Sequence, residues 1–323
     1  MSIGTIIVPL SLILASFATQ LWHVYLSQGI LFGIGASFAF SSSITLPSQW
    51  FNSKRALATG IALSGSSIGG VCLSPMIEKQ FTTIGLRNTL RVQGCFGFGL
   101  LCLSTALATS RYRPPSSLNG KDKWYHIYDA SLISRQFLLL WAFGFFLPFG
   151  YLVPFFLTPQ YVQTLGLGPS DGAAMISVMS AANTICRLII GYLTDLAGKF
   201  NTMLVCTLLA GLFTMILWQF STNYLTFVVY CILYGLMAGG FISLLPVITA
   251  DIVGVENIQK GLSMIYMTTV IGNLLGTPII GLLLDASNWT AAIQFTGSML
   301  VISALFMLIL RMLVAKGEIF VKV

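Results

Sequence analysis

Residues 172–220 read GAAMISVMSAANTICRLIIGYLTDLAGKFNTMLVCTLLAGLFTMILWQF. Two apolar runs, 172–194 and 202–220, flank a turn that holds Asp195, Gly198 and Lys199. Each run is about 20 residues long, which is what a helix needs to cross a bilayer core of about 30 Å. One charge, Arg187, interrupts the first run. It stands eight residues before Asp195, so a rise of 1.5 Å per residue puts it about 12 Å inside the span. A charge at that depth costs at least about 2.5 kcal/mol, so it is expected to face a cavity or a partner instead of lipid. Its neighbours on the same helix face are Ser180 and Asn183 before it, and Gly191 and Thr194 after it. The helix therefore carries one polar stripe.

The rest of the chain repeats the pattern. Its 323 residues include 16 Lys and Arg and 9 Asp and Glu, so only 8% are charged, and 56% are hydrophobic. Ordinary soluble domains carry roughly 25% charged residues, and a mean hydropathy of +0.88 leaves too few charges to cover a water-facing surface. Disorder needs the opposite balance. The class is an all-α, polytopic membrane protein. Ten runs qualify as spans: 3–22, 24–47, 56–77, 89–109, 136–160, 172–194, 202–220, 223–249, 261–284 and 290–313. A longer polar segment containing Pro114-Pro115 separates the first four runs from the last six. The expected division is an N-terminal bundle of four spans (1–110), a cytoplasmic central loop (111–134) and a C-terminal six-helix bundle (135–323).

The charges orient this arrangement. With the 110–134 loop in the cytoplasm, twelve of the sixteen Lys and Arg fall on cytoplasmic segments. Lys79, Arg87 and Arg91 fall outside, and Arg187 lies within a span. The positive-inside rule then places both visible ends in the cytoplasm. Scattered over short loops, the net charge of +7 reports topology and not nucleic-acid binding. All six cysteines lie in apolar runs without a CxxC pair, and no metal, cofactor or disulfide role is expected of them. HExxH and a phosphate-binding P-loop are absent from the sequence, so neither an enzyme nor an ATP-driven pump is expected.

Small residues recur at four-residue spacing. Gly29 and Gly33, Gly65 and Gly69, Gly235 and Gly239, and Gly272 and Gly276 each form a GxxxG pair. Such pairs let helix backbones approach closely, either for fixed packing or for sliding during a cycle. Arg187 also has two readings. Its guanidinium can take a carboxylate bidentately from a cavity, or it can hold helices together through backbone carbonyls or an acid. No span carries an acid near its middle, since Asp195, Asp251 and Asp285 sit at span ends. Substrate attraction is therefore legible, while protons remain an open choice of coupling ion. Asn183, Ser180, Tyr151, Phe155 and Asn273 are the further candidates for a binding cavity.

Three motifs carry a resemblance. Gly191-Tyr-Leu-Thr-Asp195-Leu-Ala-Gly198-Lys199 resembles GxxxDxxGR, the loop motif of the major facilitator superfamily, with Leu196 and Lys199 where the family has arginine. Residues 49–66, QWFNSKRALATGIALSGS, resemble the YFxKRRxLAxGxAxAGS segment of the monocarboxylate porter family within that superfamily. The matching positions include Phe51, Lys54, Arg55, Leu57, Ala58, Gly60, Ala62 and Gly65. Residues 150–156 and 271–278 are similar to fungal members. The resemblance implies a major facilitator fold and a secondary-active transporter working by alternating access between a lipid bilayer's two faces. Its implied substrate is a small organic anion, a monocarboxylate, with Arg187 standing where the family's eighth span binds the carboxylate. It also implies that Gly191, Asp195, Gly198, Lys199, Lys54, Arg55, Gly60 and Gly65 serve gating or packing. Asn183 stands where animal members have Asp, so the family's proton relay does not carry over. Efflux of a fungal secondary metabolite and a non-transporting remnant stay as alternatives. Since the family has 6 + 6 spans, the first span here takes the place of the family's third. The chain is then expected to be an N-terminally truncated member, with the plasma membrane as its location.

Overall fold

A computed structural model describes residues 1–51, 55–109, 133–254, 257–286 and 288–315. Every regular element among them is helical. In order they are α1 (Ser2–Ala15), α2 (Leu21–Val24), a π-helical stretch (Tyr25–Leu31), α3 (Phe32–Trp50) and α4 (Arg55–Leu107). Then come α5 (Arg135–Phe146), α6 (Pro148–Tyr151), α7 (Val153–Thr164), α8 (Pro169–Ala197) and α9 (Lys199–Phe213), which runs into a second π-helical stretch (Thr214–Trp218). The last are α10 (Tyr224–Val253), α11 (Ile258–Ala286) and α12 (Trp289–Val314). Among the described residues, eight helical segments are long and apolar enough to cross a membrane by length and composition.

That number differs from the ten expected, for two physical reasons. The first apolar run stops being helical at Ala15, not at residue 22. The Ser16 hydroxyl bonds the Ile13 carbonyl at 2.6 Å, offering the backbone a local alternative to the next turn. The next helix restarts where His23 Nδ1 accepts from the Gln20 amide. The third and fourth runs form one helical segment, Leu57–Leu107, interrupted by Gly85 at φ 76, ψ 165. Only glycine adopts that conformation readily. The Gln93 amide donates to the Gln80 carbonyl oxygen at 3.0 Å although the two are 13 residues apart. In a straight helix they would lie about 20 Å apart. The chain therefore doubles back at Gly85, and the reversal is compressed into one residue where a polar turn was expected.

Packing divides the chain into two units: 1–52 with 73–116, and 53–72 with 117–323. In the first, α1 lies antiparallel on α3, and a Cβ at Gly4 would fall 2.6 Å from the Gly35 carbonyl oxygen. Thr5 and Thr105 share a hydroxyl hydrogen bond of 2.7 Å. Arg91 rests over the Phe17 ring at 4.7 Å and donates to the Ser16 hydroxyl.

The second unit is built around α5–α12 and residues 53–72. Its core includes Phe137, Leu140, Phe143, Tyr234, Leu244, Ile265, Leu300 and Met307. Around Tyr161 stand the rings of Phe227, Trp289 and Trp218, with centroids 4.9, 4.9 and 5.7 Å away. The apolar run 135–164 is broken at α6, because Pro154 has no amide to offer the Gly150 carbonyl one turn back. The Tyr234 hydroxyl fills in, donating to the Tyr151 carbonyl at 2.8 Å and reaching toward that of Gly150.

Candidate functional site

The site is organised by α8, whose burial is inverted relative to a soluble helix. Ser180, Asn183, Arg187 and Thr194 are buried, whereas Ile185, Leu188, Ile189, Tyr192, Leu193 and Leu196 are exposed. The polar groups share the inward face with Met175, Met179 and Ile190, while the outward face is apolar, as a helix in hydrocarbon requires.

The stripe faces residues 57–70 of α4, and the two segments run antiparallel. A Cβ on Gly191 would come within 2.6 Å of Leu57 Cα, and one on Gly60 would run into the Arg187 carbonyl oxygen. A Cβ on Gly70 would come within 2.8 Å of the Ser180 hydroxyl. Each pair is a close approach that only a bare glycine permits, and together they set the register. On its other side α8 meets α10. There a Cβ on Gly239 would lie 2.9 Å from the Asn183 carbonyl, and Gly235 faces the Met179 carbonyl in the same way. Helix α8 is thus held between two helices that present glycine to its backbone. Of the expected GxxxG pairs, Gly235/Gly239 and Gly272/Gly276 meet a neighbouring helix. Gly29, Gly33 and Gly65 have no atom within 4 Å of where a Cβ would stand.

Arg187 is only 4% exposed. Its Nη1 donates to the Leu63 carbonyl and, at 2.8 Å, to the Ser66 hydroxyl. Beside it, the Ser67 hydroxyl donates to Asn183 Oδ1 at 2.8 Å. The Tyr151 phenol lies against both Arg187 and Asn183. Nε of Arg187 is buried and has no partner. Among the described residues no carboxylate pairs with Arg187. Aromatic rings flank the group, with Tyr151 and Phe241 centroids 5.4 Å apart, and Phe155 edge-on to Tyr234 at 6.1 Å.

The sequence-derived candidates thus separate. Arg187, Asn183 and Tyr151 come together, with Ser180 one turn further along the stripe, and Phe155 stands one ring away. Asn273 is exposed on α11 and is not among the groups around Arg187. Leu63, Ser66 and Ser67 are the residues that sequence reasoning missed. Their only signal was position, one to two turns beyond Gly60 on a helix chosen for its glycines.

At the α8–α9 turn, Gly198 has φ 89, ψ 156, so this motif glycine is required by conformation. The following Lys199 bonds Asp251 at 2.6 Å, tying the start of α9 to the last turn of α10. Asp251-Ile-Val-Gly254 repeats the spacing of Asp195-Leu-Ala-Gly198, and Gly254 adopts φ 81 in turn. Asp195 lies in the last turn of α8 and Arg55 opens α4; Lys54, and the central loop over 110–132, lie outside the described residues.

Among the described residues, apolar helices turn a polar stripe inward around the buried Arg187, the arrangement of a multi-pass membrane protein. The family profile described as the Major Facilitator Superfamily matches residues 1–217 and again 173–319. The chain belongs to that superfamily. It is 28% identical to the Agnestins efflux protein AgnL12 of Paecilomyces divaricatus, over 97% of this chain and 71% of that protein. It is also 28% identical to Monocarboxylate transporter 12 of Xenopus laevis, over 91% of this chain and 70% of that one. The crystal structure of a fucose:proton symporter from E. coli has the same fold, with a TM-score of 0.67 at 15% identity, covering 95% of this chain and 83% of the symporter chain.

Proposed function

We propose that the chain is a secondary-active transporter of a small organic anion, a monocarboxylate, working by alternating access, and that Arg187 receives the carboxylate. The observation that carries this reading is the state of Arg187: deeply buried, without a carboxylate partner among the described residues, and with Nε unbonded. A buried guanidinium without a counter-charge is costly, and a substrate anion supplies the missing charge. Asn183 and the Tyr151 phenol stand where they add neutral donors beside it, and the Phe155, Tyr234 and Phe241 rings offer apolar surface to the rest of the substrate. The family reading narrows to the monocarboxylate porters, with the 4 + 6 division of spans, the plasma membrane as location and Lys199 on the cytoplasmic side. In that orientation the Lys199–Asp251 pair and the glycine contacts of α8 with α4 sit toward the cytoplasmic mouth and act in gating. Protons are the coupling ion to test first.

The second reading is efflux of an aromatic secondary metabolite, favoured by the likeness to an agnestins efflux protein and by the rings around Arg187. The two readings separate by direction and size. Proteoliposomes carrying the chain are given labelled pyruvate, labelled benzoate and a larger aromatic acid, with uptake and release measured under an imposed pH gradient. Saturable exchange of pyruvate supports the first reading. Release of the large acid without pyruvate exchange supports the second. No Arg187-dependent flux of any of the three defeats both.

A further inference from the structure

A guanidinium offers a carboxylate two bidentate edges, the end-on pair Nη1/Nη2 and the side-on pair Nε/Nη2. Here the choice is made by α4. Nη1 of Arg187 donates to the Leu63 carbonyl and the Ser66 hydroxyl, while the Tyr151 phenol also lies against the guanidinium. The Ser66 hydroxyl in turn donates its hydrogen to the Leu63 carbonyl at 2.9 Å. With that hydrogen committed, Ser66 can only accept from Arg187, and Nη1 is held between two fixed acceptors. Nε is left buried and unbonded. Gly65, beside Ser66, borders open space, and Ser66 itself is exposed. The adjacent Ser67 fixes the Asn183 amide, since it donates to Oδ1 and so turns Nδ2 away from itself.

We infer that Ser66 is a positioning residue of the anion site: together with the Leu63 carbonyl it anchors Nη1 and thereby presents the Nε edge of Arg187 to a planar, two-oxygen anion. Ser67 does the same for the Asn183 amide. The inference rests on the reading of Arg187 as the anion-binding group. It adds that the geometry of that group is set from a different helix. Because the anchor lies on α4 and the cation on α8, anion affinity is tied to the packing of residues 57–70 against α8. Any state of the protein that parts these segments releases the guanidinium and lowers its hold on the substrate.

The test is an equilibrium titration. The purified chain in detergent is titrated with sodium benzoate and sodium pyruvate against sodium chloride at equal ionic strength, and apparent affinity is read from the rise in unfolding temperature. Wild type, Arg187→Gln, Ser66→Ala and Ser66→Thr are compared. Stabilisation by at least one carboxylate is expected in wild type and none in Arg187→Gln. Ser66→Ala is expected to weaken apparent affinity about tenfold, with an unfolding temperature in chloride close to wild type. Ser66→Thr keeps the hydroxyl and is expected within about twofold of wild type. A carboxylate response that needs Arg187 but is unchanged in Ser66→Ala overturns this inference alone. So does a Ser66→Ala protein that is less stable in chloride yet keeps its affinity, because that is a packing role. No carboxylate response in wild type, or an undiminished one in Arg187→Gln, overturns the anion-site reading and this inference with it. If Ser66→Ala is not recovered folded, Ser66→Gly takes its place with the same expectations.

Discussion

Replacing Gly191 with alanine tests the close packing of α8 on α4. The added Cβ would stand 2.6 Å from Leu57 Cα and 2.8 Å from Leu57 Cβ. The nearest atom is backbone, so no rotamer change relieves the clash. Restoring ordinary contact at 3.4 Å requires the two segments to part locally by about 0.8 Å, the kind of overpacking that costs about 1–3 kcal/mol. If that shift propagates two turns, the Ser67–Asn183 bond lengthens from 2.8 Å to beyond hydrogen-bonding range. Alanine also gains about 1 kcal/mol over glycine in a helix interior. That gain is common to any such substitution, so Gly65→Ala, which meets nothing within 4 Å, serves as the reference. The difference between the two variants isolates the clash. Unfolding followed by thiol-reactive dye or tryptophan fluorescence in detergent should place Gly191→Ala about 2–8 °C below Gly65→Ala. The scans are to be run at one heating rate, because unfolding of such proteins is commonly irreversible. Equal unfolding temperatures for the two variants would refute the assigned register of α4 on α8.

Other substitutions follow from the same contacts. Gly198→Ala forces alanine to φ 89 and should cost about 1–3 kcal/mol, read as a lower unfolding temperature than an Ala197→Gly control. Tyr234→Phe leaves the Tyr151 carbonyl without its 2.8 Å donor, with an expected loss of about 1–3 kcal/mol; an unchanged midpoint would show that α6 does not depend on that bond. The Lys199–Asp251 side chains are 36% and 34% exposed, so Lys199→Ala should cost less than about 1 kcal/mol. If the pair gates, exchange rates should change far more than stability, and the reversed pair Lys199→Asp with Asp251→Lys should restore them.

Much of the architecture is legible in the sequence because the bilayer is an exacting solvent. It demands long apolar helices, and periodicity alone then put Ser180, Asn183, Arg187 and Thr194 on one face of α8, where the structure buries all four. What lay beyond reach is what depends on a second segment. The acceptor for Arg187 is the backbone carbonyl of a leucine 124 residues away, and any residue type offers such a carbonyl. The partner of Lys199 is 52 residues distant at the far end of another helix. A reversal between the third and fourth runs was legible, but its compression into Gly85 was not, because Thr82 and Thr83 satisfy their hydroxyls on the carbonyl of Lys79 and so sit comfortably in helix. The four GxxxG pairs looked alike in sequence, yet Gly65 faces open space while Gly239 touches the Asn183 backbone. Spacing marks where a thin face exists, and only the fold decides whether anything is packed against it.

The charge of Arg187 is the centre of the proposed function, and substrate counterflow measures it most directly. Proteoliposomes loaded with unlabelled benzoate or pyruvate are diluted into trace labelled acid, with wild type, Arg187→Lys and Arg187→Ala reconstituted at equal density. Counterflow needs binding and reorientation but no ion gradient, so the result does not depend on the coupling ion. Overshooting uptake in wild type, a strongly reduced overshoot in Arg187→Lys and none in Arg187→Ala is the predicted result. An overshoot in Arg187→Ala equal to wild type would contradict it, and would leave Arg187 as a helix-packing residue held by Leu63 and Ser66.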